Sequence, residues 1–287
     1  MSPQPSSRTP PGERPAAPDR LPIAVVDNHC HLDIDRDGSP GLGVTQALAA
    51  AAAVGVDRVV QIGCEVESAR WTVKVVDEHP SLLGGVALHP NEIPGLAVSG
   101  ELAGQLAEIE QLAQHPRVRV IGETGLDYFR TGTEGVPAQQ DAFRWHIDLA
   151  KRTGKALQIH DRDAHEDVLR ILSEEGVPDR TVLHCFSGDL SMARRAVELG
   201  LMLSFSGTVT FKNGHRLRDA LAVTPLTHLL VETDAPYLTP HPYRGATNAS
   251  YLVPLTVRSM AGTLNTDVPT LCAALSANSE RVYGPWS

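Results

Sequence analysis

The stretch IAVVDNHCHLD, residues 23–33, is a short β-branched run that ends in two histidines spaced two apart. In extended backbone, residues two apart point to the same side. His29 and His31 can therefore face one pocket while Cys30 faces away. Seven more runs of this kind follow: RVVQIG (58–63), LLGGVALH (82–89), VRVIGE (118–123), ALQIH (156–160), TVLHC (181–185), LMLSFS (201–206) and HLLVETD (228–234). They are continuously apolar rather than alternating, which suits parallel strands buried on both faces. Helix-like segments separate them near 43–55, 67–78, 99–114, 138–153, 163–175, 189–199 and 214–223, and a last one covers roughly 267–283. Eight strand–helix units joined in the right-handed sense predict an α/β fold, a TIM-type (β/α)8 barrel forming one domain over residues 21–287. A doubly wound open sheet shares the same periodicity.

In such a barrel the strand ends converge on one rim, where active sites sit. His29 and His31 end the first run, His89 the third, Glu123 the fourth, His160 the fifth, His184 the sixth and Asp234 the eighth. A lone histidine at a strand end is more often a hydrogen-bonded core residue than a ligand. Six ligand-type residues at one rim would each need a buried partner, and one pair of cations satisfies them together. His29, His31, Glu123, His160, His184 and Asp234 are the candidate metal ligands. Imidazole and carboxylate donors suit Zn, Mn, Fe or Co, and oxygen donors suit Mg. The simplest arrangement puts His29, His31 and Asp234 on one ion, His160 and His184 on the other, and Glu123 between them. Two such ions can clamp the attacking and leaving oxygens of an in-line displacement. Glu123 and Asp234 are the catalytic candidates, Asp234 for proton transfer. His79, His115, His146, His165 and His228 lie at turns, on helices or at a strand start and are assigned no chemistry; His215 and His241 are weak rim candidates. No nucleophile elbow or phosphate loop competes. The glycine-rich IGETG and FSGD read as tight strand exits.

A net charge of -9 argues against non-specific coating of nucleic acid, which needs a basic face. It does not exclude a nuclease, because divalent cations reverse the field at a carboxylate-rich site. Aromatics make up only 5%, so the core must rest on Val, Leu, Ile and Ala. Four dispersed cysteines with no CxxC pair read as reduced thiols. Residues 1–20 carry six prolines and no apolar core segment, so they read as a disordered tail rather than an export signal. No run is long enough to span a bilayer. The expected location is the cytoplasm, with no membrane and no obligate protein partner. Long connections after the fourth and eighth runs, 124–137 and 235–266, read either as functional loops or as a clasp that closes the barrel.

The motifs DNHCHLD, VALHPNEI, VIGETGLDYF, LQIHDRDAHED, HCFSG, LSFSGTVTFKN, LLVETDAPYLTP and PYRGATN occur in this order over about residues 25–250, with ANSERVYG near the end. This set resembles TatD-like metal-dependent deoxyribonucleases. The resemblance implies a barrel and a two-metal phosphodiesterase that removes nucleotides from DNA 3′ ends. It places the HxH pair on His29 and His31, the bridging glutamate on Glu123, and further ligands on His160, His184 and Asp234. Two departures stand out: His89-Pro90-Asn91 replaces the usual HPH, and Asn248 is followed by Ala249 and Ser250 rather than by x-Pro.

The implied partner is single-stranded DNA, or RNA. The candidate phosphate contacts are His89, Arg130, Arg162, Lys212 and Arg244, and Tyr128 and Phe129 are placed to stack on a base. One rival reading is an amide or ester hydrolase, such as a D-aminoacyl-tRNA deacylase. Its lysine-bridged form is disfavoured because Lys155 precedes the fifth strand. The other rival is a barrel kept as a binding scaffold, which the complete ligand set weakens.

Overall fold

A computed structural model describes residues 14–35 and 42–286. Its eight strands are β1 (Val25–Cys30), β2 (Val56–Gly63), β3 (Leu82–Val86), β4 (Val118–Asp127), β5 (Ala156–Arg162), β6 (Thr181–Leu183), β7 (Met202–Phe205) and β8 (Leu229–Val231). They pair in sequence order, all parallel, with no reversal of order. That order excludes the doubly wound sheet. Ten helices accompany them: α1 (Val44–Ala53), α2 (Val66–Glu78), α3 (Ile93–Ser99), α4 (Leu102–Leu112), α5 (Val136–Thr153), α6 (His165–Glu175), α7 (Leu190–Glu198), α8 (His215–Val223), α9 (Val253–Leu264) and α10 (Val268–Tyr283).

The barrel closes between β1 and β8 with few ladder bonds. At the rim the Asp234 amide donates to His29 O (3.0 Å) and the His31 amide to Ala235 O (2.7 Å). Below them the chain substitutes side chains for strand pairing. The buried Asp27 carboxylate accepts from the Thr233 amide (2.8 Å) and hydroxyl (2.6 Å), and Asn28 Nδ2 donates to Val231 O (2.7 Å). A seam sealed this way satisfies backbone groups that an open edge would leave bare.

The barrel interior is layered. Val26, Val60, Leu83, Val120, Ala156, Val182, Met202 and Leu230, one from each strand, form an apolar floor with Val282 and Tyr283 of α10. Two residues further along β5 and β8 stand Gln158 and Glu232, and two beyond those His160 and Asp234. This period of two carries the chain from an apolar floor to a polar rim. On β4 a register shift between Ile121 and Thr124 sets three residues against two of β5. The shift lets β4 run on to Asp127, beyond the expected end at Glu123. Gly125, at φ 135°, is not a strand exit; it lies where a Cβ would overlap the His160 carbonyl oxygen.

The segment after β8 holds a helix that the sequence reading treated as loop. Pro254 occupies the first turn of α9, where no amide is needed. Asn265, in the left-handed region, ends the helix. Residues 1–13 of the expected tail lie outside the described residues. Residues 14–20 do not behave as a free tail: Tyr251 donates its hydroxyl to Pro15 O (2.7 Å), Arg258 donates to Asp19 O (2.8 Å), and Arg20 donates to Ala52 O (2.6 Å).

His146 on α5 is fully buried; it donates from Nδ1 to Ala142 O (2.7 Å) and accepts the Leu88 amide on Nε2 (3.3 Å). Burial pushes it down to about 4, against the pull of the Ala142 carbonyl. The unfolded chain binds this proton near the ordinary histidine value, about 6.5. Between those values the unfolded state holds more protons, so stability falls as pH drops through the window. This group is expected to remove up to ~3 kcal/mol on acidification from pH 7 to 4. Urea unfolding of His146→Gln across that range should show a shallower decline; a decline as steep as wild type's would refute the assignment.

Candidate metal centre

Glu123, carried inward by the shift in β4, is the hub. Its Oε2 lies 3.4 Å from His29 Nε2 and 3.9 Å from His31 Nε2, on the β1 side. Its Oε1 lies 2.6 Å from His160 Nδ1 and 2.7 Å from His184 Nε2, on the β5–β6 side. Asp234, past the end of β8, is 3.5 Å from His31 Nε2 and 3.9 Å from His29 Nε2. All six sequence-identified candidate ligands thus meet at one point, although β1, β6 and β8 end one to three residues short of theirs.

The far nitrogen of each imidazole shows what the near one can do. His29 Nδ1 faces Gln158 Oε1 (2.8 Å), His31 Nδ1 faces Ile62 O (3.0 Å), His160 Nε2 faces Asp127 Oδ2 (3.2 Å) and His184 Nδ1 faces Glu232 Oε1 (3.2 Å). Each of these partners is an acceptor, so each far nitrogen carries the proton. With the far nitrogens held in this way, each ring turns its near nitrogen toward Glu123 and Asp234, the orientation that metal-ligating histidines need. His89 is reversed. Its Nδ1 accepts the Asn91 amide (3.1 Å), so its proton sits on Nε2, 3.4 Å from Glu123 Oε1. His89, Glu123 and His160 are close enough to hold an ion, but a neutral His89 has no lone pair to offer there. It acts as a hydrogen-bond donor.

Burial alone would raise the Glu123 carboxyl, but the imidazoles of His184, His89 and His160 overcome it and hold the group well below the usual carboxylate range. Asp127 is held at about 2: burial opposes, while His160 and the Arg130 amide prevail. Asp234 is likewise lowered against its burial by His31, His29 and His184. Glu232 is completely buried, and its Oε2 has no hydrogen-bond partner among the described residues. Four carboxylates therefore share this volume, and among the described residues no lysine or arginine pairs with any of them. Converging imidazole nitrogens and carboxylates fit divalent cations.

The centre opens into a cavity of about 550 Å³ whose walls include His89, Asn91, Arg130, Arg162, Thr208 and Tyr237. Three of the five sequence-identified phosphate contacts, His89, Arg130 and Arg162, therefore face it. Lys212 and Arg244 do not; Arg244 instead lays its guanidinium over Phe211, 4.5 Å from the ring centre. Tyr128 is not free to stack, because its hydroxyl donates to Asp167 (2.7 Å) and accepts from Gln140 (2.8 Å). Phe129 is exposed and carries the Arg162 guanidinium at 3.9 Å. Lys155 cannot bridge ions, since its ammonium bonds the His115 (2.9 Å) and Val118 carbonyls.

Sequence reasoning passed over the supporting residues Gln158, Asp127 and Glu232, and also Cys64, whose thiol donates to Glu123 Oε2 (3.6 Å). The signal for Gln158 and Glu232 was available: each precedes a ligand by two residues on a strand. Gln158 must turn its Nε2 toward Asn28 O (2.8 Å) and Tyr283 Oη (2.7 Å), so its oxygen has to face His29. Gln158→Leu is expected to weaken divalent-metal affinity about 10–100-fold, measured by competition with a chromogenic chelator on protein whose circular dichroism matches wild type. Unchanged affinity would show that His29 needs no such support.

Residues 26–284 match the family described as TatD related DNase. An uncharacterized metal-dependent hydrolase, TatD of Mycobacterium tuberculosis, is 45% identical over 266 residues, covering 91% of this chain and 98% of that protein. The uncharacterized metal-dependent hydrolase YcfH of Escherichia coli is 36% identical over 260 residues, covering 90% and 95%. The crystal structure of YJJV, a TatD homolog from Escherichia coli, superposes with a TM-score of 0.82 at 26% identity, covering 91% of this chain and 98% of that one.

Proposed function

The chain belongs to the TatD related DNase family and is a metal-dependent hydrolase, and from that premise we propose that it cleaves phosphodiester bonds of single-stranded DNA, releasing nucleotides from 3′ ends. In this reading His29, His31 and Asp234 would hold one divalent ion and His160 and His184 a second, with the Glu123 carboxylate shared between them. The observation that carries the reading is the division of the Glu123 carboxylate, one oxygen toward the β1 histidines and the other toward those of β5 and β6.

When bound, two divalent ions supply Lewis-acid stabilisation of the charge that develops on the phosphoryl oxygens. The chain's own residues do the rest. Asp234, held ionised among the histidines, accepts the proton of the attacking water. His89 offers its Nε2 proton into the cavity, where a phosphate oxygen can accept it. Arg130 and Arg162 line the same cavity and orient the phosphate. The four cysteines are free thiols, in keeping with a reducing cytoplasm. Among the described residues, no helix is long and apolar enough to cross a membrane.

Wild-type protein with Mn or Mg is expected to shorten a 5′-labelled single-stranded oligonucleotide one residue at a time, with mononucleotides identified by mass spectrometry. Glu123→Ala should abolish release. Asp234→Asn should keep the fold and lose ~10²–10⁴-fold in kcat. Turnover of an ester panel that includes D-aminoacyl-tRNA, without nucleotide release, would overturn the phosphodiesterase reading. Undiminished cleavage by Glu123→Ala would remove the bridge.

A further inference from the structure

The metal cavity does not end at the ions. A second hollow of about 320 Å³ adjoins it and shares Cys185, Ser187 and Thr208 as a common wall. Its far side is built by Phe211, Asn213 and Arg216. Arg216 is 73% exposed, and among the described residues its one ion pair is a loose 3.6 Å contact with Asp189. Arg244, exposed and without an ion pair among the described residues, lies over the Phe211 ring.

This corner is held rigidly. Arg218 Nη1 donates to Val209 O (2.9 Å) and Phe211 O (2.8 Å), Thr210 Oγ1 donates to Gly207 O (2.6 Å), and the His241 amide donates to Thr210 Oγ1 (2.8 Å). Gly207 sits where any Cβ would overlap Leu238 O, so the loops after β7 and β8 pack directly on each other. The loop that carries the aromatic ring is therefore braced before a ligand arrives, and the exposed Arg244 guanidinium of the other loop rests on that ring.

We infer that this hollow is a second nucleotide subsite. It takes the base next to the scissile phosphodiester against the Phe211–Arg244 stack, while Arg216 meets the following phosphate. Every base has a π face, so aromatic rings and guanidinium planes bind unpaired bases with little sequence preference. A loose, exposed arginine suits the strand's backbone, where contacts position the ligand rather than read it. A base in a duplex is stacked and paired and cannot enter, so the subsite selects single strands that extend beyond one nucleotide. The inference rests on the phosphodiesterase reading of the adjoining cavity.

The test compares a ten-residue single-stranded oligodeoxynucleotide with a p-nitrophenyl ester of thymidine monophosphate, which has one nucleotide and nothing to place in the second hollow. The ratio of kcat/KM for the ten-mer to that for the ester should fall roughly 5- to 100-fold in Phe211→Ala and in Arg244→Ala. With a labelled phosphorothioate ten-mer that resists cleavage and the divalent ion held constant, fluorescence anisotropy against monovalent salt should give a log–log slope shallower by about 0.7 in Arg216→Ala. A ratio equal to wild type's in the exposed Arg244→Ala, which keeps the core intact, overturns the subsite, as does an unchanged salt slope. If wild type cleaves neither compound, the phosphodiesterase reading falls by itself, and the salt slope alone decides the hollow.

Discussion

A buried carboxylate with histidines on both sides is the constraint on which this molecule turns. Glu123 is almost inaccessible to water and stays ionised because imidazoles crowd it. An isolated charge at that depth would neutralise itself. Four carboxylates with no lysine or arginine partner among the described residues share this volume, and imidazole nitrogens converge on them from opposite sides. A divalent cation, which takes imidazole and carboxylate donors together, fits that set.

The barrel supplies that arrangement from below. Each strand delivers one side chain per layer, and the layers graduate from hydrocarbon through amide to ligand. The amide layer carries information upward. Asn28 O can only accept, so Gln158 must present Nε2 to it and its oxygen to His29, and His29 must then carry its proton on Nδ1. Tyr283, at the end of α10, fixes the same amide from the floor. The last helix of the chain is thus connected through two hydrogen bonds to a candidate ligand on the first strand. A buried polar network of this kind specifies a geometry when every member is satisfied.

The fold was legible because burial on both faces leaves continuous apolar runs, and the convergence of the six candidate ligands was legible because they stand at run ends. Four features resisted sequence reading, each for a physical reason. The shift in β4 leaves no compositional mark beyond its glycines, so Glu123 looked like the end of a strand that in fact continues to Asp127. The helix α9 lies inside what reads as one long connection after the eighth run, and Pro254 at its first turn breaks nothing. Lys212 and Arg244 looked like cavity residues because they follow rim strands, but the direction of a loop side chain is set by tertiary packing, here the Phe211 ring beneath Arg244. Asp127, Gln158 and Glu232 escaped because their role is to orient another side chain; Gln158 and Glu232 do stand two residues before a candidate ligand, but that spacing does not say which side chain they orient.

The overall charge of -9 poses a question for a protein that acts on a polyanion. The cavity places Arg130 and Arg162 near the mouth and the carboxylates at the bottom. A phosphodiester approaching the bare centre would meet net negative charge and be repelled. With divalent ions in place the same pocket becomes attractive, because the ions are then the largest local charges. Metal and substrate binding are therefore linked: whatever favours phosphate in the pocket must favour the ions beneath it by the same factor. In the phosphodiesterase reading, an acidic surface with a cation-dependent interior confines nucleic acid to the place where it is cut and avoids the non-specific hold that a basic surface would impose.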